Sequence, residues 1–430
     1  MSFTVIETPP LLEAPSTTRA VIAVQPDHET ASISRDAKTK HRLDSVDFVR
    51  GLVMVIMALD HVRFFLHRDI LVGIDPLDLS RAGPSLFFTR WITHFCAPVF
   101  LFLAGTGAWL YASRGKTKNE LSRFLITRGL WLILLEFTVI HFGWTFNFNF
   151  HVNFAIVLWA LGCSMIALAA LVYLPTRVIA IVGFLLVAGH NLLDKVQPES
   201  LGRFGWLWKV LHVNGVIQPV PSYVLVITYP LIPWIGVMVL GYCFGALLSR
   251  ERGKRRKLLV KIGFAVTAAF VVVRAINIYG DPQPWTPQGN WLLTVLSFLN
   301  CEKYPPSLSF LLMTLGPSIL VMAWAERDLS AFARPFIIFG RVPLFYYLLH
   351  FSLIHLLALA LSYARYGQAP WLFTGPPWSP GLMRAFPKGY GYGLPVVYAV
   401  WIAVVVMLYP LCRWFAGVKA RHRNNWLSYF

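Results

Sequence analysis

The sequence predicts an all-α, polytopic transmembrane bundle of about ten spans, and three observations carry that prediction. The 430 residues are 57% hydrophobic and only 13% charged, about half the charged fraction of an ordinary soluble protein. Apolar runs repeatedly approach the roughly 20 residues that cross a bilayer as helix. The formal charge of +18 comes from Lys and Arg gathered between apolar runs, where topology accounts for them and a nucleic-acid partner is not required. The five cysteines are scattered, mostly inside apolar runs, so neither a complete disulfide framework nor a cysteine-based metal site is expected.

Residues 1–41 are rich in Thr, Pro, Ser, Ala and charge without apolar periodicity, and read as a disordered cytoplasmic tail. No removable signal peptide is evident. Spans are expected at 46–67, 86–112, 122–142, 152–173, 176–192, 223–248, 256–278, 306–325, 336–362 and 394–416. They make up a membrane domain of residues 42–418, followed by a basic cytoplasmic tail of 419–430. "SRGKTKNELSR", "SRERGKRRK" and "VKARHRNN" mark the inner side, so both termini are expected in the cytoplasm. The opposite loops at 279–305 and 364–393 are rich in Pro, Gly, Trp and Tyr. They read either as an interfacial aromatic belt with turns or as a lid over an outward-facing sugar site.

The chemistry lies in the polar groups that interrupt the spans. "SVDFVRGLVMVIMALDHVRFF" (Ser45–Phe65) carries Asp60 and His61 where burial is costly, and intramembrane ionisable groups mark functional sites by default. At 1.5 Å per residue, His61 lies roughly 20 Å beyond the cytoplasmic start of its span, and Glu136 and His350 reach roughly the same depth. His94, on the second span, lies roughly 12 Å from its outer end. Asp47, Arg50, Met54, Met57 and His61 follow a 3-4-3-4 stripe along one helical face. Arg90 and His94 share a face four residues apart. Arg90 suits either holding a carboxylate or opposing protonation of His94. Pro98 leaves the His94 carbonyl without its helical donor and should kink the second span. Asp60 and Arg63, three apart, also read as a plain ion pair. His67, His141 and His151 read as interfacial, and His355 as structural. Glu136 and Arg128 stand about 80° apart on their helix, so a pair between them would need another span. Near the inner ends, Asp47, Arg50, Arg128 and Arg341 suit phosphate recognition or anchoring to lipid headgroups. No Walker A loop, dinucleotide fingerprint or zinc motif occurs, and no metal is expected.

The segments "RLDSVDFVRGLVMVIMALDHVR", "TRWITHFCAPVFLFLAGTGAWL", "RGLWLILLEFTVIHFGW" and "GRVPLFYYLLHFSLIH" resemble bacterial membrane proteins related to heparan-alpha-glucosaminide N-acetyltransferase, of the transmembrane acyltransferase superfamily. The resemblance covers residues 42–145 well and the ninth span moderately. It implies transfer of an acetyl group from cytosolic acetyl-CoA to an amine or hydroxyl on a sugar or glycan at the opposite face of a bacterial inner membrane. A homodimer is compatible with it. In that setting His61 or His94 is the base, Asp60 orients an imidazole, and Arg90 stabilises the oxyanion, with His350 and Glu136 beside them. Arg50, Arg128 or Arg341 would hold the CoA phosphates, with Asp47 beside them in the cofactor-binding group. The rival reading is a proton-coupled secondary transporter with an intramembrane His/Asp/Glu relay.

Overall fold

The computed structural model describes residues 43–71, 74–374 and 386–422. The expected N-terminal tail and most of the C-terminal tail lie outside these residues. The helices in chain order are α1 (Asp44–Leu66), α2 (Pro84–Thr93), α3 (Cys96–Ala112), α4 (Lys118–Leu135), α5 (His141–Thr145), α6 (Val157–Leu171), α7 (Thr176–Ala188), α8 (Gly205–Leu211), α9 (Leu231–Leu248), α10 (Arg252–Ile276), α11 (Trp291–Leu299), α12 (Leu308–Trp324), α13 (Arg334–Arg341), α14 (Pro343–Tyr366) and α15 (Leu394–Arg421). Each expected span has its core on one of these helices. Among the described residues, six helical segments are long and apolar enough to cross a membrane: Pro84–Ala112, Lys118–Thr145, Leu231–Leu248, Arg252–Ile276, Pro343–Tyr366 and Leu394–Arg421. Three apolar helices, α6, α7 and α12, are shorter. The protein is an integral membrane protein.

Helices break where backbone chemistry requires it. Pro98 has no N–H to offer the His94 carbonyl, and the second segment turns at His94 and Phe95 before resuming at Cys96. Val342, at φ −131° and ψ 49°, leaves helical geometry ahead of Pro343 and separates α13 from α14, since a proline ring disfavours the helical conformation in the residue before it. Between α4 and α5 the chain widens into a π-turn over Glu136–Ile140. At the far end, α15 runs on through Arg421.

One correction concerns fold class. The chain is mostly helical, not all-α, because a small sheet of order β1-β3-β2 joins β1 (Val152–Ala155), β2 (Gly215–Val220) and β3 (Tyr223–Ile227). β1 runs parallel to β3 with Val152 opposite Val224, and β2 runs antiparallel to it with Gly215 opposite Ile227. The expected spans at 152 and 223 therefore begin as strand. A short apolar run cannot be told from the start of a buried helix by hydrophobicity alone, and its β-branched residues favour the strand.

The hub is α1, which packs against α2, α3, α12, α13, α14 and α15 and buries most of its length, including Asp47, Asp60 and Arg63. Its closest crossing is with α13. A Cβ on Gly51 would lie 1.7 Å from the Phe336 carbonyl oxygen, and one on Gly340 would lie 1.8 Å from that of Asp47. Arg50-Gly51 and Gly340-Arg341 thus interlock, backbone against backbone. Gly340→Ala is expected to force α1 and α13 apart, costing about 1–3 kcal/mol or more, which a lowered melting temperature in detergent would register.

Candidate functional site

Two constellations form on adjacent residues of α1. The first is a histidine pair. His61 Nδ1 lies 2.7 Å from His350 Nε2 of α14. His350 Nδ1 lies 2.6 Å from the Tyr347 carbonyl and 3.2 Å from that of Tyr346. A carbonyl can only accept, so His350 carries its proton on Nδ1, and neutral His350 offers a lone pair at Nε2. His61 must then donate through Nδ1, which leaves its own lone pair on Nε2. His350 is fully buried, whereas His61 keeps partial exposure. Trp144 meets the His61 ring edge-on at 5.4 Å, and Phe351 packs on it at 4.3 Å.

The second constellation is an ion cluster. Asp60 Oδ1 accepts from Arg63 at 2.9 Å, and Oδ2 accepts from Arg90 of α2 at 2.5 Å. The side chains of Arg63, Arg90 and Asp60 are 1%, 9% and 10% exposed, so the group is withdrawn from water on all sides. Asp60 therefore does not orient an imidazole, contrary to the sequence-based expectation. One residue of helical advance turns it about 100° from His61, towards α2. Arg90 takes the carboxylate-holding role.

Sequence reasoning missed the loop before α12. Lys303 and Tyr304 enter the same cluster from "NCEKYPPSL". Lys303 is buried, with its ammonium 5.1 Å from the Tyr304 ring centre, and its charge acts on Asp60, His61 and His94. The Tyr304 ring stands 5.4 Å from that of Tyr229, and its hydroxyl is coupled electrostatically to Lys303 and Arg90. The adjacent carboxylate, Glu302, accepts from the backbone N–H groups of Lys303 and Tyr304. Three buried cations thus share Asp60, and Arg63 Nη1 has no partner. The available signal was a lysine inside an otherwise aromatic and proline-rich loop.

The remaining candidates divide. His94 is fully buried against Phe310, and neither ring nitrogen has a hydrogen-bond partner. No hydrogen bond joins it to His61. Glu136 leaves the histidine group altogether: its Oε2 accepts from the backbone N–H of Leu158 at 2.7 Å and Trp159 at 3.0 Å, capping the start of α6. The free N–H groups there are the ones a helix leaves unsatisfied. His355 Nδ1 binds the Gly143 carbonyl at 3.0 Å, and its ring stacks on Phe146. His141 binds the Asn149 carbonyl.

At the Asp44 end of α1, Asp47, Arg50 and Arg341 do meet. Arg50 reaches Asp47 at 3.1 Å and the Gly340 carbonyl at 3.2 Å. Arg341 pairs with Asp44 at 3.1 Å and approaches Asp47 at 3.9 Å. Arg128, on α4, instead lies over Phe124. At the other end of α1 a cavity of about 650 Å³ is lined by Arg68, Asp69, Arg365, Lys388, Tyr390 and Tyr392, among others. Its lining mixes cationic, aromatic and apolar groups with one carboxylate, Asp69.

No curated protein sequence matches the chain. The family model described as heparan-alpha-glucosaminide N-acetyltransferase, catalytic, matches residues 42–281, more than half of the chain and the stretch that carries Asp60, His61 and Arg90, and the protein belongs to that family.

Proposed function

We propose that the protein is a membrane acyltransferase that takes an acetyl or other acyl group from cytosolic acyl-CoA to an amine or hydroxyl, on a sugar or glycan, at the opposite face of a bacterial inner membrane. The observation that carries this reading is the chain from the Tyr347 carbonyl through His350 to His61. It leaves a partly exposed imidazole with its lone pair on Nε2 and its tautomer held by a buried partner.

Such an imidazole is a general base near neutral pH. His61 Nε2 accepts the proton of the acceptor N–H or O–H as the heteroatom attacks the thioester carbonyl. When the C–S bond breaks, the imidazolium returns the proton to the leaving sulfur. The excess positive charge of Arg63, Arg90 and Lys303 over Asp60 favours negative charge developing on the carbonyl oxygen, an electrostatic contribution that low dielectric strengthens. His94, lacking exposure, is not the base in this account.

The donor would enter at the Asp44 end. Arg341 keeps 42% of its side chain exposed and Arg50 20%, so each can turn guanidinium donors to phosphate, for which the planar fork is suited. Asp44 and Asp47 hold those forks in place meanwhile. From Arg50 to His61 is roughly 16 Å along α1. The acceptor would enter through the cavity beside Arg68, Tyr390 and Tyr392, whose aromatic rings suit a sugar face. His61, seven residues before Arg68, lies roughly 10 Å along the helix from that mouth.

A proton-coupled transporter fits less well, because Asp60 is committed to two guanidinium groups and Glu136 to a helix end. Sealed proteoliposomes separate the two readings. With acetyl-CoA on one side and an amino sugar on the other, the acyltransferase yields acetylated sugar and free CoA, with no product when acetyl-CoA is omitted. Uptake of unmodified solute without acyl-CoA would instead establish the transporter.

A further inference from the structure

A second cluster stands outside the acyl-transfer site. His190 opens the 3-10 turn His190–Leu193 that follows α7, Asp194 follows that turn, and His212 caps the C-terminus of α8. One donor atom from each of the three lies within 4.8 Å of the others. Both histidines are buried, at 1% and 0% exposure, and Asp194 is half-buried. His212 Nε2 already meets Asp194 Oδ1 at 3.1 Å, and the two imidazole rings stand 5.6 Å apart.

The polar accounting of this cluster is incomplete. Neither ring nitrogen of His190 completes a hydrogen bond, although the Pro306 carbonyl is near it, and His212 Nδ1 has no partner. Buried imidazoles without partners are costly unless something else supplies them. Two neutral imidazoles and a carboxylate are a donor set for zinc, with a fourth position left to water.

We propose that His190, Asp194 and His212 bind one zinc ion. Tetrahedral zinc with bonds near 2.0–2.1 Å places its ligands roughly 3.4 Å apart, so side-chain rotations must draw the donors together. Ligation through Nε2 requires His212 to give up the proton that it shares there with Asp194 Oδ1 and to carry one on Nδ1 instead, by exchange with solvent, so that the ligand stays a neutral imidazole. The surroundings supply what ligands of this kind need. Asn191 Nδ2 donates to Asp194 Oδ2 at 2.8 Å, fixing the carboxylate. The Pro306 carbonyl lies near the His190 ring, and a carbonyl is the usual outer partner of a ligating histidine. Asn191 Oδ1 in turn accepts the backbone N–H of Leu308, the first residue of α12, at 2.9 Å. The metal would therefore tie the ends of α7 and α8 to the segment that delivers Lys303 and Tyr304, and its role is to position that loop.

The test uses the full-length chain, purified in detergent without a polyhistidine tag. Elemental analysis should find about one zinc per chain. Cobalt added to metal-free protein should give the visible absorption bands of a tetrahedral site. His190→Ala and His212→Ala should lose both signals while eluting as folded protein. Asn191→Ala, which leaves the three ligands in place, should weaken zinc binding about 10- to 100-fold. If the histidine variants do not fold, the cobalt titration of the unmodified chain decides. A chain that retains no zinc and gives no tetrahedral cobalt spectrum, or a folded His190→Ala variant that binds zinc as tightly as the parent, overturns the site whatever the acyltransferase assay shows.

Discussion

Asp60→Ala is expected to be among the most destabilising single substitutions in this protein. The carboxylate is the counter-charge to Arg63 and Arg90, and Lys303 is buried in its field. Removing one member of a buried ion cluster leaves the others charged and unpaired, a penalty of about 3–5 kcal/mol. Asp60→Asn keeps the size but not the charge and should be nearly as damaging. Melting followed by size-exclusion chromatography in detergent would show a large drop for both variants. Unchanged melting of Asp60→Asn would mean that the cluster is balanced by charges other than this carboxylate.

The largest expected loss of activity is at His61. Its alanine variant should fold, since the ring is partly exposed, and should transfer acyl groups about 10²–10⁴-fold more slowly, the usual contribution of a positioned base. His350→Phe is a sharper probe. It fills the space but removes the acceptor of the His61 Nδ1–H, so the His61 tautomer is no longer fixed. The expected result is a fall in kcat smaller than that of His61→Ala, with KM for acyl-CoA little changed. His94→Ala should cost far less, because the buried ring of His94 makes no hydrogen bond to the pair. Steady-state release of CoA thiol by the three variants would rank them, and a His94 effect equal to that of His61 would move the base to the second span.

Much of this arrangement was legible along α1. The stripe Asp47, Arg50, Met54, Met57, His61 assigns these residues to one helical face, and both polar ends of that face meet the expected ninth span: Arg50 reaches Gly340, and His61 reaches His350. The fixed rise of a helix likewise puts His61 and His350 at one level. Phase and depth describe a helix, however, and do not name its neighbour. Glu136 shares that level but turns to the first N–H groups of α6, because a helix start inside the bundle must be satisfied by some side chain. Arg128 shares the level of Arg50 without joining it, since α4 packs mainly on α6. Lys303 and Tyr304 escaped because loop residues carry no periodicity from which to infer burial. The interlocking of Gly51 with Gly340 was equally hidden: each motif is visible alone, and only their contact explains why no side chain fits at either position.

The proposed proton acceptor in acyl transfer is His61 Nε2. Turnover of acetyl-CoA by folded His61→Ala protein, measured with and without added imidazole, tests it most directly. The expected rate collapses in the variant and recovers partly and saturably as imidazole fills the vacated space. An undiminished rate in the variant without imidazole would contradict it.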